Sequence, residues 1–486
     1  MIGSVFAKSF LGGAPRWYKL TIAAFLLINP LIFYINPFVA GWVLILEFIF
    51  TLAFALICYP LPAGGLLAIE AVILGMTNPL SVYKEVAQNL PVLLLLMFMV
   101  AGVHFMKEGL LVLFTKILLK IRSKVLLSLT FCGLGAFLSA FLDALTVTAV
   151  VISVAYGFFY LYKKFADESA ASGTPPPESD LREFKGFLRN LMMHAAVGTT
   201  LGGAMTLVGE PQNLLIGERL GWHFANFFRY CSPVSIPVAI AGLFTCFLLE
   251  KLHFFGYGYK LPEGVRKVLA KSEEELNASM DTAMRLRLAL QAIVGLLLVA
   301  ALAFHVAEVG FIGLSVIIIL TAFNGIIKEE EFGGAFHDGL PFTALLVVFF
   351  SIVAVIHDQH LFSPITNAVL ATEGHRQLVL LFAANGVLSM ISDNVFVATV
   401  YINELQAAYQ AGAFDYEWFS KLAVAVNMGT NVPSIATPNG QAAFLFLLTS
   451  SLAPLIRLSY IEMMKLALPY TIIMTAAGIL ATVYLL

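Results

Sequence analysis

The sequence predicts an all-α polytopic membrane protein of two inverted repeats, with about 11 transmembrane helices plus two re-entrant hairpins. Three observations predict it. Of 486 residues, 60% are hydrophobic and only 12% are charged, where a soluble domain carries about a quarter of its residues charged. Apolar runs near the roughly 20 residues needed to cross a bilayer recur along the whole chain. The chain also repeats itself at a fixed offset.

Lys8, Arg16 and Lys19 precede the first apolar stretch in the manner of a signal peptide. No small-residue cleavage pattern follows, so Trp17 onward is expected to be a retained helix. The formal net charge of -2 gives no reason to expect a nucleic-acid partner; the expected partner is the lipid bilayer. Cys58, Cys132, Cys231 and Cys246 lack metal-ligand spacing and read as packing residues.

Leu90-Pro91 and Leu340-Pro341 each open an apolar span, 250 residues apart. The same offset lays Leu138–Val151 over Leu388–Tyr401. Leu138, Ser139, Asp143, Val147 and Val150 recur there as Leu388, Ser389, Asp393, Val397 and Val400. Further on, Gly198-Thr199 and Gly429-Thr430 precede polar interruptions, GEPQN at Gly209–Asn213 and TPNGQ at Thr437–Gln441.

Residues 1–37 form an N-terminal segment with a first helix at 17–36, and repeat 1 follows over 38–250. Its crossings are expected near 39–58, 62–77, 89–106, 190–217 and 233–250. A cytoplasmic linker spans 251–285, and repeat 2, 286–486, crosses near 286–305, 311–327, 340–357, 419–448 and 464–485. An odd number of crossings per repeat inverts the second copy. Segments 124–162 and 376–411 carry an aspartate in mid-run and read as re-entrant hairpins, tolerable only where the backbone is buried in protein or lines a cavity. Two ordinary helices joined by a loop are the alternative. With the N-terminus cytoplasmic, only Lys84, Arg219, Arg229, Arg376 and Lys421 of the 28 Lys and Arg fall outside, as the positive-inside rule asks. The polar loops 163–189 and 251–285 both fall inside and read as solvated linkers.

A carboxylate within the bilayer costs several kcal/mol unless it is paired, solvated or protonated, which makes it a functional candidate. Asp143 and Asp393 lead because they occupy matching hairpin tips. A tip-capping aspartate that accepts local backbone N–H groups is the competing reading. In the broken helices 190–217 and 419–448, Pro removes a donor and Gly permits unwinding, which frees carbonyls. Hard cations prefer oxygen, and Thr146, Thr206, Asn213, Ser392, Asn394, Thr437 and Asn439 are candidate oxygen ligands. Glu210 is a third ionisable group, with no carboxylate counterpart in TPNGQ. Glu47, Glu70, Asp358 and Glu404 read as scaffold pairs or interface contacts. His104, His194, His305 and His357 read as anchors or hydrogen-bonding residues. No HExxH, GxSxG or Walker A pattern suggests an enzyme. Paired broken helices favour alternating access over a passive channel.

The motifs FLSAFLDALTV, LVGEPQNLLIG, ISDNVFVATVYINE and ATPNGQAAFLFLLTSSLAPLIRLSY, together with INPFVAGWVLILEFIFTLAFAL and LLLLMFMVAGVHFMK, make the chain similar to the NhaB sodium/proton antiporters of bacterial inner membranes. The resemblance covers nearly the whole chain. It implies electrogenic export of Na+, and of Li+, in exchange for entering H+, with no cofactor. It also implies a scaffold domain, a mobile transport domain with an elevator-like motion, and a homodimer. On that footing sodium and protons compete for Asp143 and Asp393. A sodium-coupled organic-anion symporter of the same fold is the nearest rival, although carboxylates at both tips would repel an anion. Asp143 is followed by apolar Ala144 and Leu145, while Asp393 is flanked by polar Ser392 and Asn394. The two are therefore expected to do unequal work, with Asp143 as the proton-exchanging group.

Overall fold

The computed structural model describes residues 9–171, 176–337, 339–364, 368, 371–392 and 394–486. Asp393 lies outside them. The described residues form helices and no strands. In chain order the first six helices are α1 (Arg16–Ile35), α2 (Pro37–Ala53), α3 (Pro60–Leu74), α4 (Pro79–Gln88), α5 (Leu90–His104) and α6 (Lys107–Lys120). Next come α7 (Lys124–Ser139), α8 (Ala144–Ala171), α9 (Glu178–Gly203), α10 (Pro211–Leu220) and α11 (Phe224–Leu252). They are followed by α12 (Glu263–Ser279), α13 (Thr282–Ala303), α14 (Val309–Asn324), α15 (Glu329–Phe336) and α16 (Leu340–Asp358). The last group is α17 (Gly374–Ile391), α18 (Asn394–Gln410), α19 (Tyr416–Asn431), α20 (Ala442–Thr449), α21 (Leu452–Leu455) and α22 (Tyr460–Leu485).

Among the described residues six helices are long and apolar enough to cross a membrane: α1, α8, α11, α13, α16 and α22. The bent pair of α4 and α5, which turns through 62°, makes a seventh if it counts as one span. The protein is thus an integral, polytopic membrane protein. Many helix starts are set by proline, whose missing N–H costs nothing in the first turn: Pro37, Pro60, Pro79, Pro211 and Pro341 all sit there. Leu95–Met99 inside α5 is π-helical, a local widening often found at functional positions.

Two groups of helices emerge from the packing. In one, α9 packs along α7 and α8, and α19 along α17 and α18 in the same manner, with α11 and α22 packed together beside them. In the other, α1 to α5 pack with α13 to α16, α3 lying on α16 and α5 on α14, while α6 bridges the groups by lying on both α8 and α13. The close approach of α9 to α7 depends on missing side chains. A Cβ at Gly198 would collide with the carbonyl of Cys132, and one at Gly202 with that of Ala136. The contact of α19 with α17 repeats this: a Cβ at Gly429 would lie 2.6 Å from the Phe382 carbonyl.

The segment 251–285, expected as a solvated linker, is instead packed. It contains α12, which buries Val265 and Leu269 against α6, α8 and α9. Arg266 Nη1 also donates to the Leu119 carbonyl at 3.2 Å. The amphipathic spacing of these apolar residues is masked in composition by Glu273 to Glu275. His194, expected as an anchor or hydrogen-bonding residue, uses both ring nitrogens. Its Nε2 meets Glu250 Oε1 at 2.7 Å and its Nδ1 meets the Tyr470 hydroxyl at 2.6 Å, while Lys124 Nζ reaches the same Glu250 oxygen at 2.9 Å. This buried cluster ties α7, α9, α11 and α22 together.

The α7–α9 contact gives a direct test. Gly202→Ala is expected to cost about 1–3 kcal/mol through overpacking and to lower the unfolding midpoint of the purified protein in detergent. Gly157→Ala, where nothing lies within 4 Å of the added methyl, should leave the midpoint unchanged.

Candidate functional site

Helix α9 stops at Gly203 and α10 starts at Pro211, so residues 204–210 leave the helical path between two apolar helices. Likewise α19 stops at Asn431, a 3₁₀ turn spans Pro433–Ala436, and α20 starts at Ala442. Polar backbone freed in this way needs partners inside the protein. Each break finds them on the turn of a neighbouring helix pair.

In the first half, α7 ends at Ser139 and α8 begins at Ala144, with Asp143 at the turn. Thr206 Oγ1 donates to the Ala140 carbonyl at 2.6 Å, and Ala144 N donates to the Gly209 carbonyl at 3.3 Å. In the second half Thr437 Oγ1 donates to the Met390 carbonyl at 2.5 Å, and Ser389 Oγ donates to the Thr430 carbonyl at 2.7 Å. A Cβ at Gly209 would stand 2.7 Å from the Ser139 carbonyl, and one at Gly440 would strike the Ser389 carbonyl. The same contact is made twice, with tip residues 250 apart and break residues 231 apart.

Asp143 is 1% exposed, and its Oδ2 accepts from Thr146 N at 3.3 Å, capping α8. The carboxylate thus stands at the positive end of a helix. Glu210 is 2% exposed and begins α10. The missing side chain of Gly203 makes room for it, since a Cβ there would lie 2.9 Å from Glu210 Cγ. The Ala144–Gly209 bond places the Glu210 backbone next to the Asp143 turn. Thr146 Oγ1, Ser392 Oγ and both ends of the Asn394 amide are buried without a hydrogen-bond partner among the described residues. Buried polar atoms are rarely left so; Ser139 Oγ, Gln212 Oε1, Gln441 Oε1 and Asn439 Oδ1 are likewise without a partner among the described residues.

Not all the expected oxygen ligands are alike. The hydroxyls of Thr206 and Thr437 latch breaks to tips. Asn213 donates to the carbonyls of Gly203 and Thr206, both at 2.7 Å, and accepts from Asn431 at 3.2 Å. Asn439 Nδ2 donates to the Ala53 carbonyl at the end of α2 and to the Tyr460 hydroxyl, while its Oδ1 is buried without a partner among the described residues. Asp393 has no described position, so its place in the site rests on the sequence repeat.

The residues that join the two halves were missed by sequence reasoning. Asn431 Nδ2 donates to Asn427 Oδ1 at 2.8 Å as well as to Asn213. Gln212 Nε2 donates to Asn431 Oδ1 at 2.7 Å. Asn427 Nδ2 donates to the Ala204 carbonyl at 3.0 Å, and Gln441 Nε2 to the Asn431 carbonyl at 3.2 Å. All four side chains are fully buried. The available signal was two asparagines four apart in an apolar helix, NMGTN, which puts both on one face. A cavity opens beside this centre between the two groups of helices. Its walls include Thr146, Ala149 and Phe446 on one side and His104, Lys107 and Phe342 on the other.

The profile of a protein family described as "Bacterial Na+/H+ antiporter B (NhaB)" matches residues 1–486. The chain is 59% identical over 492 aligned residues to the Na(+)/H(+) antiporter NhaB of Citrobacter koseri, covering 100% of this chain and 96% of that protein. The protein of the same description from Escherichia coli O127:H6 is also 59% identical with the same coverage. That of Salmonella paratyphi B is 58% identical, again over 100% and 96%.

Asn431→Leu removes the partner of Gln212 and Asn213 and leaves buried amide groups unsatisfied, at about 1–3 kcal/mol. The unfolding midpoint should fall, and ion exchange in reconstituted vesicles should fall with it. Thr449→Val, at an exposed position, should change neither.

Proposed function

The chain belongs to the bacterial Na+/H+ antiporter B (NhaB) family, and we propose that it works by alternating access around a central site carried by Asp143, with Asp393 and Glu210 as its ionisable companions. It is a sodium/proton antiporter, the activity named in its full-length relatives. As a secondary active transporter of the inner membrane, with its N-terminus in the cytoplasm, it exports Na+, and Li+, against entering H+.

The observation that carries this reading is the doubled latch of a broken helix on a helix-pair turn, with Asp143 buried at one of the turns. In such folds half-helix ends and freed carbonyls meet the ion near the bilayer midplane. The paired offsets support two inverted repeats and two re-entrant hairpins, α7–α8 and α17–α18, with the remaining helices making about 11 crossings of roughly 30 Å of hydrocarbon. The separate packing of the two helix groups supports a scaffold and a mobile transport part. The homodimer rests on family resemblance alone.

Sodium, a hard cation, takes the Asp143 carboxylate together with the spare oxygens of Thr146, Ser392 and Asn394. A proton arriving at the same carboxylate neutralises it and displaces the ion. Either loaded state presents less uncompensated charge to the membrane than the empty one, so loaded forms cross and the empty form does not. Competition for one site then gives obligatory exchange. The organic-anion symporter is disfavoured because a tip carboxylate repels an anion, and the relatives are antiporters.

Everted vesicles carrying an imposed pH gradient should lose it on addition of sodium when they contain the wild type. With Asp143→Asn the collapse should be abolished, and with Asp393→Asn strongly reduced. Full activity in both variants contradicts the assignment.

A further inference from the structure

Helices α1, α2 and α3 pack on one another, and each contributes one polar side chain to a shared cluster. Glu47 lies ten residues into α2 and Glu70 ten residues into α3, about 15 Å along each helix. Asn29 of α1 is fully buried and Glu47 is 5% exposed. One nitrogen, Asn29 Nδ2, donates to Glu47 Oε2 at 2.7 Å and to Glu70 Oε2 at 2.9 Å. The two acids, expected to make scaffold pairs or interface contacts, share a neutral amide as their partner.

That arrangement is incomplete. Two ionised carboxylates held on a single nitrogen repel each other, and only a cation or a proton, not an uncharged donor, offsets that repulsion. Among the described residues neither pairs with a Lys, Arg or His. The same amide has a second buried atom, Asn29 Oδ1, with no donor among the described residues. Pro30, next in sequence and inside α1, also lacks the N–H that would satisfy the Leu26 carbonyl one turn back. The cluster therefore offers more oxygen acceptors than donors.

We propose that Glu47, Glu70 and Asn29 form a second sodium site, within α1 to α3 and separate from the Asp143 centre. Hard monovalent cations are held by carboxylate, amide and carbonyl oxygen, by the logic that governs calcium and magnesium. Without sodium, Asn29 Nδ2 bridges the acids. With sodium bound, a half-turn of the amide brings Oδ1 to the ion, and the pair keeps one net negative charge instead of two. The site does not require the central site to bind sodium, so the two claims fail separately.

Equilibrium binding of radioactive sodium to the purified full-length chain tests this. With Asp143→Asn and Asp393→Asn together, saturable binding should persist, and sodium should still raise the unfolding midpoint. Adding Glu47→Gln, or Glu70→Gln, to that variant should abolish both signals. In the otherwise wild-type chain, Glu47→Gln with Glu70→Gln should lower the amount bound at saturation and leave the remainder intact. The proposal is overturned if the central double variant binds no saturable sodium, or if its binding and its sodium-dependent stabilisation survive the glutamine substitutions. The second readout needs only that each variant unfold cooperatively, so a less stable variant still decides the question.

Discussion

A backbone that leaves the helical path inside a bilayer has no water to satisfy it, so it must be held by the protein. In this chain that need is met by latching each broken helix onto the turn of an adjacent helix pair, Thr206 on Ala140 and Thr437 on Met390. The other features depend on these two contacts. The glycines of α9 and α19 allow the helices to approach closely enough for the latch to form, and the latch holds Asp143 at the start of α8. The freed polar groups then have a defined place to converge. Replacing either break by continuous helix would remove the latch and leave the turn without its partner.

The centre combines groups that are satisfied with groups that are not. Asn213, Asn427 and Asn431 bond to one another and to carbonyls, Gln212 Nε2 joins them through Asn431, and together they hold one half against the other. Thr146, Ser392 and Asn394 carry atoms without partners among the described residues. A rigid amide framework beside underused oxygens is what a transiently occupied ion site requires, since the ligands must be in place before the ion arrives and survive its departure. The Lys124–Glu250–His194 cluster lies elsewhere on α7, α9 and α11 and braces the same helices. Breaking a buried pair of this kind is costly because it strands a charge, which suits a brace better than an exchange site.

Much of this was legible in the sequence. The two breaks could be read because Pro and Gly act locally: GEPQN and TPNGQ interrupt helices whatever surrounds them. The matched turns could be read because their register holds across the repeat. What could not be read was pairing across long sequence distance. Nothing local in Asn431 indicates that Gln212 and Asn213 are its partners, and nothing in Glu250 indicates His194. For the same reason nothing local in Asn439 indicates that its amide nitrogen meets the Ala53 carbonyl. Helix α12 was read as solvated because its charged residues dominate composition, while the buried stripe of Val265 and Leu269 depends on the neighbours it meets.

The central claim is that sodium and protons compete at the Asp143 carboxylate. Calorimetric titration of the purified chain with sodium, run in two buffers of different ionisation enthalpy, counts the protons released per ion bound. The account predicts proton release from the wild type that falls in Asp143→Asn. Sodium binding with no release from the wild type, or release unchanged by Asp143→Asn, would contradict it.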